Sequence, residues 1–290
     1  MRSVKNAIIM AAGTSSRFAP LSKEIHKGLI TVKGEVLVER QIRQLREAGI
    51  KEIVLVTGYK AEQFEYLRDK YGIIILYNPD YLTRNNHSSI NVARNYLGDS
   101  YVCSVDNYFC RNPFEKEVED SYYSAVYAKG KTQEWCITED DEGYIDSVEI
   151  GGENAWYMLG HTFWTQEFSE AFLEILDNIY NNPETESLLW ESIYGQHLDV
   201  LKMKIKKYTE DIIFEFDTLD ELRGFDNSYI NNTKSKIIKL LAEQLGVSEK
   251  DMTDFVNVKD NTNEAAGVCF RVNNNLYEYM YNNEELRRRR

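Results

Sequence analysis

The chain of 290 residues lacks several things, and each absence removes a class of function. Its four cysteines, Cys103, Cys110, Cys136 and Cys269, contain no Cys-x-x-Cys pair, and the four histidines share no metal-site spacing with them. They read as reduced thiols in or near the core of a cytosolic protein. No apolar run comes near the length of a membrane span. The run at the N-terminus is short and leads into a polar motif, so no signal peptide is expected and the cytoplasm is the expected location. Positive charge is scarce. The 34 Lys and Arg against 47 Asp and Glu leave a net charge of −13, which argues against a nucleic-acid partner. No internal repeat, low-complexity linker or Ser/His/Asp arrangement stands out, and the oligomeric state stays open, with a dimer as one candidate.

What is present points to a small anionic ligand. Hydrophobic residues make up 43% of the chain, and 20 tyrosines with four tryptophans exceed what packing alone requires. This length suits one large domain or one domain with an appendage. Lys and Arg outnumber Asp and Glu in the first fifty residues, against the average of the chain. Within them lies KNAIIMAAGTSSRFAPLSKEIHKGL (5–29). The apolar run Ala7-Ile8-Ile9-Met10 has the length of one buried strand and stops at Gly13. Thr14, Ser15, Ser16 and Arg17 follow, then Lys23 and Lys27. Small residues after a strand let backbone N–H groups approach an anion, and Arg17 and Lys27 add full charges. An ordinary turn with surface cations is the plain alternative.

From 5 to 105 the pattern alternates strand and helix: helices at 36–48, 60–70 and 89–96, strands at 52–57, 73–77 and 101–105. This implies a parallel sheet flanked by helices, with ligands beyond the carboxyl ends of its strands. Gly13 and Asp106 both fall at such ends and should be neighbours. Between 122 and 164 strands follow without helices (122–127, 135–138, 145–150, 158–164), with a hairpin turn at 140–143, and suggest an antiparallel lid. Helices at 166–180 and 187–194, strands at 204–208 and 212–216, and a helix at 218–225 come next. A new piece starts near 231, with an amphipathic helix at 235–245. The expected domains are 1–230 and a small α+β extension, 231–290. The terminal run 287–290 reads as a solvated end.

Carboxylates stand out at two places. Asp106 closes the strand at 101–105, and Glu215 and Asp217 alternate with phenylalanines, which on a strand would put both on one face. Plain alternatives exist: a turn aspartate, and a half-exposed strand with a polar face.

The segment 10–29 resembles the signature loop of nucleotidyltransferases, roughly L-A-A-G-x-G-[ST]-R-x-x-P-x-T followed by P-K-x-L. Here it reads Met10-Ala11-Ala12-Gly13-Thr14-Ser15-Ser16-Arg17, Pro20-Leu21-Ser22 and His26-Lys27-Gly28-Leu29. Ser15 replaces the second glycine, which a Cβ must tolerate. His26 replaces the proline, which is expected to loosen Lys27. A narrower resemblance, over residues 5–229, is to bacterial CTP:phosphocholine cytidylyltransferases. It is carried by YLTRNNHSS (81–89), EWCIT (134–138), GHTFW (160–164), LLWESIY (188–194) and FEFDTLDELRGFD (214–226), while VDNY (105–108) and FEFD (214–217) match motifs of the wider nucleotidyltransferases.

The resemblance implies the nucleotidyltransferase fold and CMP transfer from CTP to phosphocholine. It places Ala11, Ala12, Gly13, Thr14, Ser15, Ser16, Asn85, Ser88 and Ser89 at the nucleotide, and Arg17 and Lys27 at the reacting phosphates. Mg²⁺ is implied at Asp106 and Asp217. Tyr108, Trp135 and Trp190 are implied at the quaternary ammonium, which ring faces and a carboxylate can hold, and Glu215 either there or as a further metal ligand. Core packing is the plain alternative for the tryptophans, and a turn before a helix for Asn85, Ser88 and Ser89. Residues 259–281, with Asn261-Thr262-Asn263 and Phe270-Arg271-Val272-Asn273, resemble the opening hairpin of a choline-kinase-like domain. Its glycine-rich turn is missing and no kinase catalytic motif follows, so no phosphorylation is expected. An aminoalkylphosphonate or sugar 1-phosphate acceptor, or a non-catalytic sensor, are the other readings.

Overall fold

The computed structural model describes residues 1–260 and 265–289. Two compact units are formed, Met1–Gly13 with Val38–Glu215, and Thr14–Leu37 with Phe216–Arg290. The boundary expected at 230 falls inside the second.

The first unit contains β1 (Asn6–Ala11), most of α1 (Leu37–Glu47), β2 (Glu52–Thr57), β3 (Ile74–Tyr77), α2 (His87–Val92), β4 (Ser100–Ser104) and β5 (Asn107–Phe109). It continues with β6 (Tyr122–Tyr127), β7 (Lys131–Glu139), β8 (Ile145–Glu153), β9 (Trp156–Trp164), α3 (Gln166–Ile179), α4 (Trp190–Gly195), β10 (Lys204–Tyr208) and β11 (Ile213–Glu215). β1 pairs in parallel with β2 on one side and β4 on the other, and β3 lies beyond β2. Ala7, Ile8 and Ile9 have no exposed surface, as expected of a central parallel strand covered on both faces. Val38, Ile42 and Leu45 make the buried stripe of α1.

The strands after 120 do not stand apart as a lid. β9 pairs antiparallel with β4, β7 with β9, and β8 with β7, so they prolong the central sheet. β6 sits between β9 and β10. Three expected helices shorten for local reasons. The one at 60–70 splits into a turn of 3-10 helix, Ala61–Phe64, and Tyr66–Tyr71, after Lys60 takes left-handed backbone at φ 52°. The one at 89–96 ends at Val92, with a 3-10 turn following. The one at 187–194 starts only at Trp190, because Leu189 is extended.

The second unit joins two distant segments. Its first carries short helical turns at Ser16–Phe18, Leu21–Glu24 and Lys27–Leu29 and a small hairpin, Thr31–Val32 with Glu35–Val36. Lys33 N–H donates to Asp226 Oδ2 at 2.7 Å, and the Tyr229 hydroxyl to the Thr31 carbonyl at 2.8 Å. The second segment holds α5 (Leu219–Phe225), α6 (Lys236–Leu245) and four antiparallel strands, β12 (Met252–Lys259), β13 (Ala265–Val272), β14 (Asn275–Met280) and β15 (Glu285–Arg288). α5 opens with a capping box from Thr218 and Glu221. β13 and β14 turn on Asn273 and Asn274, both left-handed, as a tight hairpin demands. Asn261, Thr262, Asn263 and Arg290 lie outside the described residues.

Candidate active site

The candidate residues fall into two sets, one in each unit. In the first unit, β1 and β4 end side by side, as expected for Gly13 and Asp106. Met10 faces Ser104, and Val105 N–H donates to the Met10 carbonyl at 3.1 Å. Ala11 and Ala12 are buried, and a Cβ at Gly13 would meet nothing within 4 Å, so the backbone there faces open space. Gly58, closing β2, has the opposite reason to be glycine: a Cβ would stand 2.8 Å from the Ala12 carbonyl oxygen.

Asp106 sits in the turn between β4 and β5, with Ser104 Oγ donating to its Oδ1 at 2.6 Å. Buried Gln41, on α1, holds that turn by donating to the Ser104 and Asn107 carbonyls, each at 2.9 Å. Asn107 in turn donates to Glu215 Oε2 at 3.2 Å, and β5 pairs with β11 so that Glu215 faces Asn107.

Three expectations change here, and Asn85 keeps its place. Tyr108 has the Arg40 guanidinium 4.5 Å from its ring centroid, so that face is closed to a second cation. Ser88 and Ser89 are buried, and Asn78 Nδ2 donates to both hydroxyls, at 2.8 and 3.2 Å. They hold the loop together and do not present themselves to a base. Asn85 is exposed but anchored, its Nδ2 donating to the Ser187 carbonyl at 3.0 Å. Trp190 is 1% exposed, stacked on Tyr123 at 5.5 Å and edge-on to Trp164 at 5.2 Å. It is core. Trp135 remains half-buried at the edge of that cluster.

Beside Trp190 the structure adds groups the sequence reading passed over. Glu191 accepts from Asn86 Nδ2 at 3.0 Å and from the Tyr123 hydroxyl at 3.4 Å, and burial raises its carboxyl above the usual range. Burial, then the charges of Glu191 and Glu215, push the Tyr123 phenol well up. Tyr157 is raised by burial, then by Glu134 and Glu215. Tyrosines ringed by carboxylates form an electronegative, partly dry environment. The quoted motifs EWCIT and LLWESIY contained Glu134 and Glu191, so weighing their carboxylates as well as their tryptophans was the available signal.

In the second unit the loop after Gly13 carries Thr14, Ser15 and Ser16. Ser15 is left-handed, at φ 50° and ψ 42°, the geometry for which glycine is the easy choice. His26 does not loosen Lys27. Its φ of −63° is one proline would take, its ring is buried, and its Nδ1 accepts the Gly28 N–H at 3.0 Å. Lys27 follows with a side chain only 4% exposed and its Nζ 3.4 Å from Asp217 Oδ1. Arg17, largely exposed, reaches Asp217 Oδ2 at 2.5 Å. Asp217 is not on the strand face shared with Glu215. β11 ends at Glu215, and Asp217 N–H donates to Glu221 Oε2 at 2.7 Å as part of the approach to α5.

Among the described residues, no three His, Cys, Asp or Glu side chains gather as a self-sufficient metal site. Asp106 lies in the first unit and Asp217 in the second. Cys103 and Cys136 are buried, and Cys269 half-buried, as expected, but Cys110 is exposed.

A parallel sheet whose first strand opens into a small-residue turn, with a buried lysine paired to a carboxylate, defines a nucleotidyltransferase. The MobA-like NTP transferase domain matches residues 7–133. Choline-phosphate cytidylyltransferase of Haemophilus influenzae is 34% identical over 218 residues, 74% of this chain and 94% of that protein. 2-Aminoethylphosphonate cytidylyltransferase of Lancefieldella rimae is 33% identical over 229 residues, 78% of this chain and 93% of that protein. The solved structure of CTP:phosphocholine cytidylyltransferase from Streptococcus pneumoniae superposes with a TM-score of 0.74 at 30% identity, covering 78% of this chain and 99% of that one. The chain belongs to the family of nucleotidyltransferases that these cytidylyltransferases represent, and it is an enzyme of that class. No helix among the described residues is long and apolar enough to cross a membrane.

Proposed function

We propose that the chain transfers CMP from CTP to phosphocholine, giving CDP-choline and pyrophosphate, in the cytoplasm where CTP is made. The carrying observation is the half-buried Trp135 at the edge of the cluster that holds Tyr123, whose hydroxyl donates to the Glu191 carboxylate at 3.4 Å. Carboxylates and ring faces together suit a trimethylammonium, which has no N–H to donate. A phosphate oxygen of phosphocholine attacks the α-phosphorus in line, the bond to the bridging oxygen breaks, and pyrophosphate leaves with that electron pair. This nucleophile is anionic near neutral pH, so no general base is required. Arg17 and Lys27 stabilise charge on the phosphates, and the burial of Lys27 strengthens its effect. Backbone groups of 11–16 and the exposed Asn85 serve the nucleotide. Mg²⁺ bound with the triphosphate would be held by Asp106 and Asp217 and would neutralise phosphate charge. The likeness of 259–281 to a choline-kinase-like hairpin fits the same substrate chemistry.

A second acceptor, 2-aminoethylphosphonate, is favoured by one observation: Trp190 is core, which leaves more carboxylates than open indole faces around the ammonium. Pyrophosphate release with CTP, Mg²⁺ and each acceptor tests both. Phosphocholine should exceed 2-aminoethylphosphonate and a sugar 1-phosphate by at least about tenfold in kcat/KM, roughly 1.4 kcal/mol. The reverse order transfers the assignment to the phosphonate. Nucleotide binding without release for any acceptor leaves a sensor.

A further inference from the structure

Two segments of the second unit, distant in sequence, meet at the cation-bearing loop. Helix α6 begins, like any helix, with N–H groups that its own turns cannot satisfy. Ser235 Oγ accepts that of Ile238 at 3.1 Å. The first two go to a side chain of the loop. Lys236 N–H donates to Glu24 Oε1 at 2.8 Å and Oε2 at 3.1 Å, and Ile237 N–H to Oε1 at 3.1 Å. A carboxylate at the positive end of a helix is well placed.

The neighbours of Glu24 follow suit. Lys23 Nζ stands over the Tyr281 ring, 5.5 Å from its centroid. Strand β12 packs against the turn Ser16–Phe18, which carries Arg17. Phe18 of that turn is buried, with Lys27 Nζ 5.9 Å from its ring centroid. On the side of Asp217, buried Arg223 of α5 donates to the carbonyls of Tyr229 at 3.3 Å, Met252 at 2.6 Å and Glu249 at 2.7 Å. The segment after Ser235 thus grips both the loop and the helix that follows Asp217.

We propose that this C-terminal segment braces the loop 14–29, with Glu24 and Tyr281 as positioning residues that set Arg17 and Lys27. The need for a brace is local: Ser15 holds left-handed backbone where the nucleotidyltransferase pattern has glycine. The assignment rests on Arg17 and Lys27 serving the reacting phosphates, and its test has a readout free of that reading.

In the full chain, Glu24→Ala should speed amide exchange across 14–29 by about tenfold while leaving 52–57 protected. It should also lower kcat by about tenfold, with a smaller change in the KM for phosphocholine. Glu24→Gln keeps an oxygen for both amides that Oε1 accepts, and should restore both readouts to within about threefold. Tyr281→Ala should act in the same direction, more weakly. Unchanged exchange in 14–29 after Glu24→Ala overturns the brace, and so does equal loosening of 14–29 and 52–57, which would mean general instability. If the wild-type chain releases no pyrophosphate with any acceptor, the functional reading fails, and the exchange pattern still decides the brace.

Discussion

Two polar loops, 14–29 and 78–89, look alike as sequence and fold to opposite ends. Both run through small hydroxyl residues beside helical turns, and 78–89 adds amides. In 78–89 the polar groups turn inward: Asn78 binds Ser88 and Ser89, and Asn86 accepts the Trp190 N–H at 2.7 Å while donating to Glu191. In 14–29 the hydroxyls of Thr14, Ser15 and Ser16 stay near the surface, and Arg17 and Lys27 both pair with Asp217. The difference lies in charge. Neutral amides and hydroxyls can satisfy one another in a dry interior, whereas charged groups are costly to bury unless paired or solvated. One loop is held mainly by neutral hydrogen bonds and the other carries an ion-paired cluster.

That contrast can be broken, most forcefully at Lys27. Lys27→Ala should cost about 10² to 10³ in kcat, the usual loss for one preorganised charge contact, with a near-normal melting curve. If turnover survives, the loop 14–29 is not the reactive one. Trp190→Ala comes next and should act as a core deletion, losing about 3–5 kcal/mol of stability and affecting CTP and phosphocholine together. Trp135→Ala sharpens the point, since the half-buried ring should cost less stability and raise the KM for phosphocholine selectively. Parallel melting curves and KM values for CTP, phosphocholine and phosphoethanolamine separate the two. Asn78→Ala, which strips the partner from two buried hydroxyls, should destabilise by about 1–3 kcal/mol without changing the preference between acceptors. Smallest is Ser15→Gly. Relief of left-handed backbone should stabilise by about 1 kcal/mol and shift turnover by less than tenfold, as measured by melting and pyrophosphate release.

The parallel core was legible because short apolar runs closed by glycine leave few alternatives, and the strand at 204–208 was located to the residue. What stayed hidden depends on partners remote in sequence. Nothing near Tyr108 announces that Arg40 will cover its ring, nor does α1 announce that Gln41 will clamp the turn of Asp106. Alternation suggested a shared face for Glu215 and Asp217, but the capping box of α5 ended the strand first. The antiparallel strands were recognised as strands. Their attachment to β4 is a pairing choice that local pattern does not encode.

The tie between Glu24 and the first turn of α6 spans 212 residues. A ribosome adding roughly 5–20 residues per second needs on the order of 10–40 s to cover that span. For part of that interval the nascent loop has no Lys236 to meet, while β1, β2 and β4 can already pair with one another. Synthesis therefore allows β1, β2 and β4 to pair before Glu24 acquires its helix partner.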